Sequence, residues 1–241
     1  MSITFFILLF IVALLYASVG HGGASGYLAL MAIYGFAPEI MKPSALVLNL
    51  FVSLTSFILF YRGGHFKWKL FLPFALASIP FSFLGGTISL DVVIYKKVLG
   101  VLLLLPVIRF FFYPNTEEAN LKPNNFILSL LIGAVIGFLS GLIGIGGGII
   151  LSPVLLLLNW TNQKQTAAIS ALFILVNSIA GLIGQLSKGV QIDTTIYSFV
   201  AIAFVGGLAG AWLGSLKLNQ NILKYTLAIV LLMASIKLIL T

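Results

Sequence analysis

The apolar residues of this 241-residue chain fall into ten stretches separated by short polar breaks, and the ten read as two sets of five. The first set covers roughly 3–19, 24–37, 44–61, 70–90 and 92–113; the second covers roughly 126–143, 148–159, 166–187, 194–216 and 222–240. Most of these stretches are long enough to cross a bilayer as helices. Composition agrees: 61% of residues are hydrophobic and 7% charged, with mean hydropathy +1.18, whereas soluble domains carry about 25% charged residues. The ten-residue alternation of a transmembrane barrel is absent. The expected fold is an all-α integral membrane protein, a polytopic helical bundle.

One glycine-rich motif occurs near the start of both sets, 124 residues apart: Gly20-His21-Gly22-Gly23 and Gly144-Ile145-Gly146-Gly147-Gly148. Other landmarks pair as well. Phe83-Leu84-Gly85-Gly86 matches Phe204-Val205-Gly206-Gly207, and the polar loops Pro38 to Pro43 and Asn162 to Thr166 precede the third stretch of each set. The chain therefore reads as two homologous repeats, residues 1–112 and 126–241, joined by a polar linker at 113–125 that holds Glu117, Glu118, Pro114 and Pro123. The first stretch, Ile3 to Val19, has the length of a signal-peptide core, but no Lys or Arg precedes it and the second repeat opens in the same way; it reads as a retained helix.

In each repeat the stretch after the glycine motif is too short. About 13 helical residues rise ~20 Å, against a hydrocarbon core of ~30 Å. Each such segment is tilted, re-entrant or part of a broken helix, and irregular backbone at that depth is tolerated only inside protein or beside a water-filled cavity. Paired broken segments in a duplicated membrane protein point to a central binding site. Five crossings per repeat would give the halves inverted topology. Arg62, Lys67, Lys69, Arg109, Lys122, Lys164, Lys217 and Lys224 then share the cytoplasmic side, against Lys42, Lys96, Lys97, Lys188 and Lys237 outside; re-entrant short segments reduce that bias to seven against six.

A glycine break that opens a helix exposes backbone N–H groups at the positive end of the helix dipole, and glycine lets a ligand approach the backbone closely. That is an anion site, and Gly20, Gly22, Gly23, Gly144, Gly146, Gly147 and Gly148 are its first candidates. Neutral hydrogen-bonding residues on the third stretch of each repeat come next: Asn49 and Ser53 in one, Ser170 and Asn177 in the other, with Thr55, Ser56, Ser178 and Gln185 nearby. Interhelical hydrogen bonding, worth about 0.6 kcal/mol on average, is the competing explanation for each. His21 stands where the second copy has Ile145; its titration range suits proton coupling or a charge-assisted contact to an anion. Glycines spaced by four elsewhere (Gly133, Gly137, Gly141; Gly206, Gly210, Gly214; and Ser78, Ser82, Gly86) read as helix-contact stripes.

Absent features narrow the function. None of the five acids, Glu39, Asp91, Glu117, Glu118 and Asp193, falls inside an apolar stretch, which disfavours cation carriers and carboxylate proton relays. No HExxH, Gly-x-Ser-x-Gly or buried carboxylate pair marks an enzyme, no metal-ligand cluster or cofactor motif is present, and with no cysteine there is no thiolate site. The +8 charge sits in short loops at helix ends, where it reads as topology signal and headgroup contact rather than a nucleic-acid surface. Lys42 and Lys164, before the third stretch of each repeat, read first as topology signals and second as attractors of an anion.

Ser18-Val19-Gly20-His21-Gly22-Gly23-Ala24-Ser25-Gly26-Tyr27-Leu28, followed by Lys42-Pro43-Ser44-Ala45-Leu46-Val47-Leu48-Asn49, resembles the first half of the TauE/SafE (sulfite exporter) family. Gly141-Leu142-Ile143-Gly144-Ile145-Gly146-Gly147-Gly148 through Pro153, then Gln165-Thr166-Ala167-Ala168-Ile169-Ser170 and Phe173-Ile174-Leu175-Val176-Asn177-Ser178, resembles the second. The resemblance spans nearly the whole chain. It implies a multi-pass bacterial plasma-membrane permease for sulfite, organosulfonates or related oxyanions, with substrate identity open. The first motif departs from the glycine run of the second, with His21 before Gly22 and Ala24 and Ser25 after Gly23, so the two half-sites are not expected to be equivalent. The combined expectation is a secondary transporter whose partners are a small anion, the lipid bilayer and a proton as coupling ion, with oligomeric state open and a homodimer among the options. An anion channel with the same site and a non-transporting assembly factor are the alternatives.

Overall fold

The structure is a computed structural model of the chain that describes residues 2–18, 22–112, 121–215 and 231–240 apart from 234. Among the described residues the regular structure is helical throughout. In chain order the helices are α1 (Ile3–Ser18), α2 (Ala24–Ile33), α3 (Pro38–Arg62), α4 (Trp68–Gly86), α5 (Val92–Phe112), α6 (Phe126–Ile143), α7 (Gly148–Leu157), α8 (Gln163–Leu186) and α9 (Ile196–Ser215), then α10 (Leu231–Leu240). Of these, α3, α4, α6 and the Lys164–Leu186 part of α8 are both long and apolar enough to cross a membrane. The expected fifth stretch of the second repeat, 222–240, is described only in α10, and the linker at 113–125 only in residues 121–125, where the Lys122 amide donates to the Asn159 carbonyl at 2.7 Å.

Two expected loops are helical instead. Pro38 to Pro43 forms the opening of α3: Pro38 takes the first helical position, where no amide bond is missed, and Pro43 sits five residues later. Asn162 caps α8, and Gln163 to Thr166 belong to the helix. The Asn162 side chain accepts from the Gln165 amide at 2.9 Å and the Gln165 side chain reaches back, forming a capping box. Polar residues that look like a loop in a one-dimensional reading are here the capping apparatus of the helix they precede.

The two longest helices, α3 and α8, cross each other, and the rest packs around them. α4 lies against α6 and α8; α9 lies against α1 and α3; the short α2 sits between α1 and α3, and α7 between α8 and α5. Three crossings are backbone on backbone, including that of α4 and α8, where a Cβ on Gly86 would fall onto the Gly181 carbonyl. A Cβ on Gly133 would stand 2.6 Å from the Phe74 carbonyl oxygen, and Cβ atoms on Gly137 and Gly141 would fall onto the carbonyls of Ser78 and Ser82. At the α1–α9 crossing a Cβ on Gly206 would stand 2.6 Å from the Phe10 carbonyl oxygen, and one on Gly210 would fall onto that of Leu14. These are the expected small-residue stripes, with Gly214 outside the residues whose side positions are described. In lipid, apolar surface gives helices no reason to prefer each other over acyl chains, so close approach and hydrogen bonding hold the bundle.

Around a buried apolar core, large apolar side chains also face outward while small polar ones are buried. Leu76, Leu131, Val135, Ile183 and Trp212 are exposed, whereas Ser78, Ser82, Ser129, Ser140, Ser152 and Ser170 are buried. Trp68 edges Phe66 at 4.9 Å between centroids, and Phe57 and Tyr61 join them beside exposed Arg62, Lys67 and Lys69. Aromatic rings next to basic residues at one helix end are the composition of a bilayer interface.

Candidate functional site

Both glycine motifs break the chain between two helices, and both end in the same backbone conformation. Gly23, the N-cap of α2, has φ 92°, and Gly147, the N-cap of α7, has φ 77°. Neither makes a side-chain capping bond. The first-turn amides of α2 and α7 are therefore left without the hydroxyl or carboxamide that caps a helix start. Gly144 (φ 86°) ends α6 and Gly146 (φ 73°) continues the turn, so three successive glycines of the second motif occupy left-handed backbone that a residue with Cβ rarely adopts. Each helix that follows has ten residues, rising about 15 Å, half the hydrocarbon thickness. α2 is buried from Ala24 to Ala32, and most of α7 is buried too. Gly20 and His21 lie outside the described residues.

The two breaks meet. A Cβ built on Gly22 would stand 3.0 Å from Asn49 Oδ1, and one on Gly146 would stand 2.5 Å from Asn49 Nδ2. Ile174 Cγ2 lies 2.9 Å from both positions. Asn49 and Ile174 are the midpoints of α3 and α8, so the meeting place is halfway along the two crossing helices. Asn49 Nδ2 donates to Ser178 Oγ at 3.2 Å, while Asn49 Oδ1 is buried without a partner. A Cβ on Gly148 would fall onto the Ile174 side chain and stand 3.2 Å from the Ser170 carbonyl; one on Gly147 would stand 2.8 Å from Phe173 and 2.9 Å from Ile136.

The remaining expected residues are placed differently. Ser53 is buried, and its hydroxyl returns to the Asn49 carbonyl of its own helix at 2.6 Å. The Ser170 hydroxyl pairs with Ser152 Oγ of α7 at 2.8 Å, tying the short helix to α8. Asn177 is not brought beside Asn49. Its Nδ2 donates to the Phe173 carbonyl at 2.8 Å, its own carbonyl accepts from Ser82 of α4 at 2.8 Å, and its Oδ1 is unpartnered. Register explains the difference. Asn49 follows Lys42 by seven residues and Asn177 follows Lys164 by thirteen, so the two amides do not hold equivalent positions on their helices, and the position seven after Lys164 is Ala171.

The surroundings of the two breaks also differ. At the first, the Tyr27 hydroxyl lies 2.6 Å from where a Gly23 Cβ would be, buried and unpartnered, and Tyr16 OH pairs with Ser25 Oγ at 2.7 Å. At the second, a Cβ on Gly144 would stand 3.1 Å from the Lys42 backbone, and Tyr95 OH donates to the Ile143 carbonyl at 3.0 Å. Tyr16, Tyr27, Tyr95 and Ile174 are not marked as site residues by the sequence. A tyrosine in an apolar stretch carries no signal of which break it will face, although Ser25 and Tyr27 do follow the first motif directly.

The sequence profile of the sulfite exporter TauE/SafE family matches residues 5–238, almost the whole chain. The chain belongs to the TauE/SafE family. A "probable membrane transporter protein", y4hK of Sinorhizobium fredii, is 38% identical over 234 residues, covering 95% of each chain. Relatives with the same description occur in Methanocaldococcus jannaschii (29% identical over 226 residues, 88% of this chain and 84% of that one) and, as YjnA, in Bacillus subtilis (27% over 260 residues, 99% and 100%). No solved structure matches. With its apolar helices, this TauE/SafE chain is a multi-pass membrane protein of a transporter family.

Proposed function

We propose that this TauE/SafE protein is a secondary transporter that carries a small sulfur-containing anion, such as sulfite or an organosulfonate, by alternating access across a bacterial plasma membrane. The observation that carries the reading is the position of Asn49 between Gly22 and Gly146, at the midpoint of α3. An anion there meets the uncapped starts of α2 and α7 and takes hydrogen bonds from their amides and from Asn49. Asn49 is suited to this because Ser178 Oγ both donates and accepts. If the carboxamide turns over, Oδ1 accepts from Ser178 and Nδ2 points towards Gly22 with its protons free. The substrate site then comprises Gly20, His21, Gly22, Gly23, Asn49, Ser53, Gly144, Gly146, Gly147, Gly148, Ser170 and Asn177, with Ser53 and Asn177 acting through the shape of α3 and α8.

Two inverted repeats, 1–112 and 126–241, supply the moving parts in this reading. The packing supports it, since exchanging the halves maps the main contacts onto one another: α1 on α9 becomes α6 on α4, and α4 on α8 becomes α9 on α3. Asn49 and Ser178 are fully buried, as an occluded state requires, and rocking of one half against the other opens the site to each side in turn. His21, beside the first break, is the group through which a proton couples to the anion.

The test is purified protein in proteoliposomes loaded with sulfite, thiosulfate or sulfoacetate, together with thermal unfolding in their presence. Uptake that saturates and shows counterflow, with a rise in unfolding temperature, supports a carrier. Flux without saturation or counterflow makes it a channel. Stabilisation by a cation or lipid alone, with no response to any of these anions, refutes the anion site.

A further inference from the structure

Among the described residues one charged side chain is buried, and it is Lys42, 8% exposed. Among the described residues no carboxylate lies within ion-pair distance of its ammonium, and Glu39 acts on it only from farther off. Glu39, one turn earlier on α3, is exposed, and the group facing Lys42 from α5 is the Tyr95 ring, 5.3 Å from Nζ to centroid. The ring itself is anchored, because Tyr95 OH is bonded to the Ile143 carbonyl at the end of α6. The Lys42 backbone packs beside Gly144, the first glycine of the second break, where an added Cβ would stand 3.1 Å from it. Lys164, at the start of α8, is exposed. A lysine that served only as a topology signal would behave as Lys164 does, with its ammonium in water.

Helical spacing gives this lysine a direction. Lys42 and Asn49 are seven residues apart and Pro38 and Lys42 four, so Pro38, Lys42 and Asn49 lie on one stripe of α3, about 10 Å separating Lys42 from Asn49. Pro38 also lines a cavity of about 150 Å³ with Gly35, Met41, Lys96 and Lys237. Lys237 Nζ holds the Ile33 carbonyl at the end of α2 at 2.6 Å. The stripe thus runs from a cavity with two lysines, past a buried lysine, to the place where the breaks meet.

We propose that Lys42 is the residue that pairs with the negative charge of the substrate, and that the anion reaches Asn49 from the α3 N-terminal end through the lysine-lined cavity. This rests on the anion reading of the site and adds the counter-charge that neutral amides and hydroxyls lack. A buried cation without a carboxylate is unfavourable in the empty protein; an anion arriving beside it removes that cost. Binding energy therefore comes from Lys42 only when the substrate is charged.

Thermal unfolding and proteoliposome uptake with sulfite, thiosulfate and sulfoacetate test this on wild-type protein and the variants Lys42→Met, Lys42→Gln and Lys42→Arg. Lys42→Met is expected to unfold, without ligand, at a temperature no lower than wild type, and to lose the anion-induced rise or need ~10- to 100-fold more anion for it. Lys42→Gln, which keeps a donor without charge, gives the same loss and replaces Lys42→Met should the latter not fold. Lys42→Arg retains anion response within ~10-fold. Wild-type affinity and uptake in Lys42→Met or Lys42→Gln overturns the proposal while leaving the anion site standing. No response to any anion in wild-type protein removes both.

Discussion

Asn49 and Ser178 are 129 positions apart in the chain, and a hydrogen bond of 3.2 Å joins them across the α3–α8 crossing, between the two glycine breaks. The pair is not repeated on the other side of the crossing. Ser56 follows Lys42 by fourteen residues, as Ser178 follows Lys164, but its would-be partner position is Ala171, and the Ser56 hydroxyl is buried without a bond. The two sides of the crossing are therefore furnished differently.

Replacing Asn49 should therefore separate binding from stability. Asn49→Ala removes one interhelical hydrogen bond, worth about 0.6 kcal/mol and at most about 2 kcal/mol, so the protein is expected to remain folded. Anion uptake should fall at least ~10-fold. Ser178→Ala carries the same stability cost, and a double-mutant cycle on unfolding should show the two losses failing to add. Additive losses would mean the bond contributes nothing.

Gly146 tests the break itself. A side chain there meets φ 73° and Asn49 Nδ2 at 2.5 Å together, so Gly146→Val should lose both stability, by about 1–3 kcal/mol, and anion response. Gly189 supplies the control, having φ 80° with nothing within 4 Å of an added Cβ. Gly189→Ala should carry the backbone strain alone, of order 1 kcal/mol, with uptake per folded molecule unchanged. Equal loss of uptake in both variants would remove the special role of Gly146.

The α4–α6 crossing is expected to be structural. Gly137→Val places a side chain onto the Ser78 carbonyl, and helix backbones in contact cannot yield without separating. Folded yield and unfolding temperature should drop by the equivalent of more than 3 kcal/mol, while molecules that do fold respond to anion as wild type does. A selective binding defect with normal stability would contradict this.

Asp193, in the loop before α9, accepts from the Thr195 amide at 2.8 Å, and that bond with the Thr195 side chain holds its pKa below the ordinary carboxylate value. A depressed folded pKa means that the contribution is present above the unfolded pKa and disappears as pH falls through the folded one. Hydrogen exchange at the Thr195 amide should therefore accelerate below about pH 4 beyond its intrinsic trend. In Asp193→Asn this extra pH dependence should vanish. A wild-type loop whose protection ignores pH would rule the bond out.

Much of the fold can be read without coordinates because lipid makes strict demands. Every apolar stretch must satisfy its own backbone, so α4 and α6 announce themselves by length and hydropathy, and the helix-contact glycines of α6 and α9 by their spacing of four. The polar residues opening α3 and α8 misled, because a capping box and an N-terminal proline share their composition with a loop.

By itself the sequence determined that this chain is a helical membrane bundle, that two glycine motifs interrupt it, and that no acid lies in its apolar stretches; all three follow from local composition and spacing. Only the tertiary structure decided that the breaks converge on Asn49 and Ile174, that Asn177 turns back on its own helix, and that Lys42 is buried while Lys164 is not. Periodicity states which face of a helix is polar. Which partner meets that face, and at what depth, depends on how helices far apart in sequence cross, and the contact of backbone on glycine and of Asn49 on Ser178 sets that crossing.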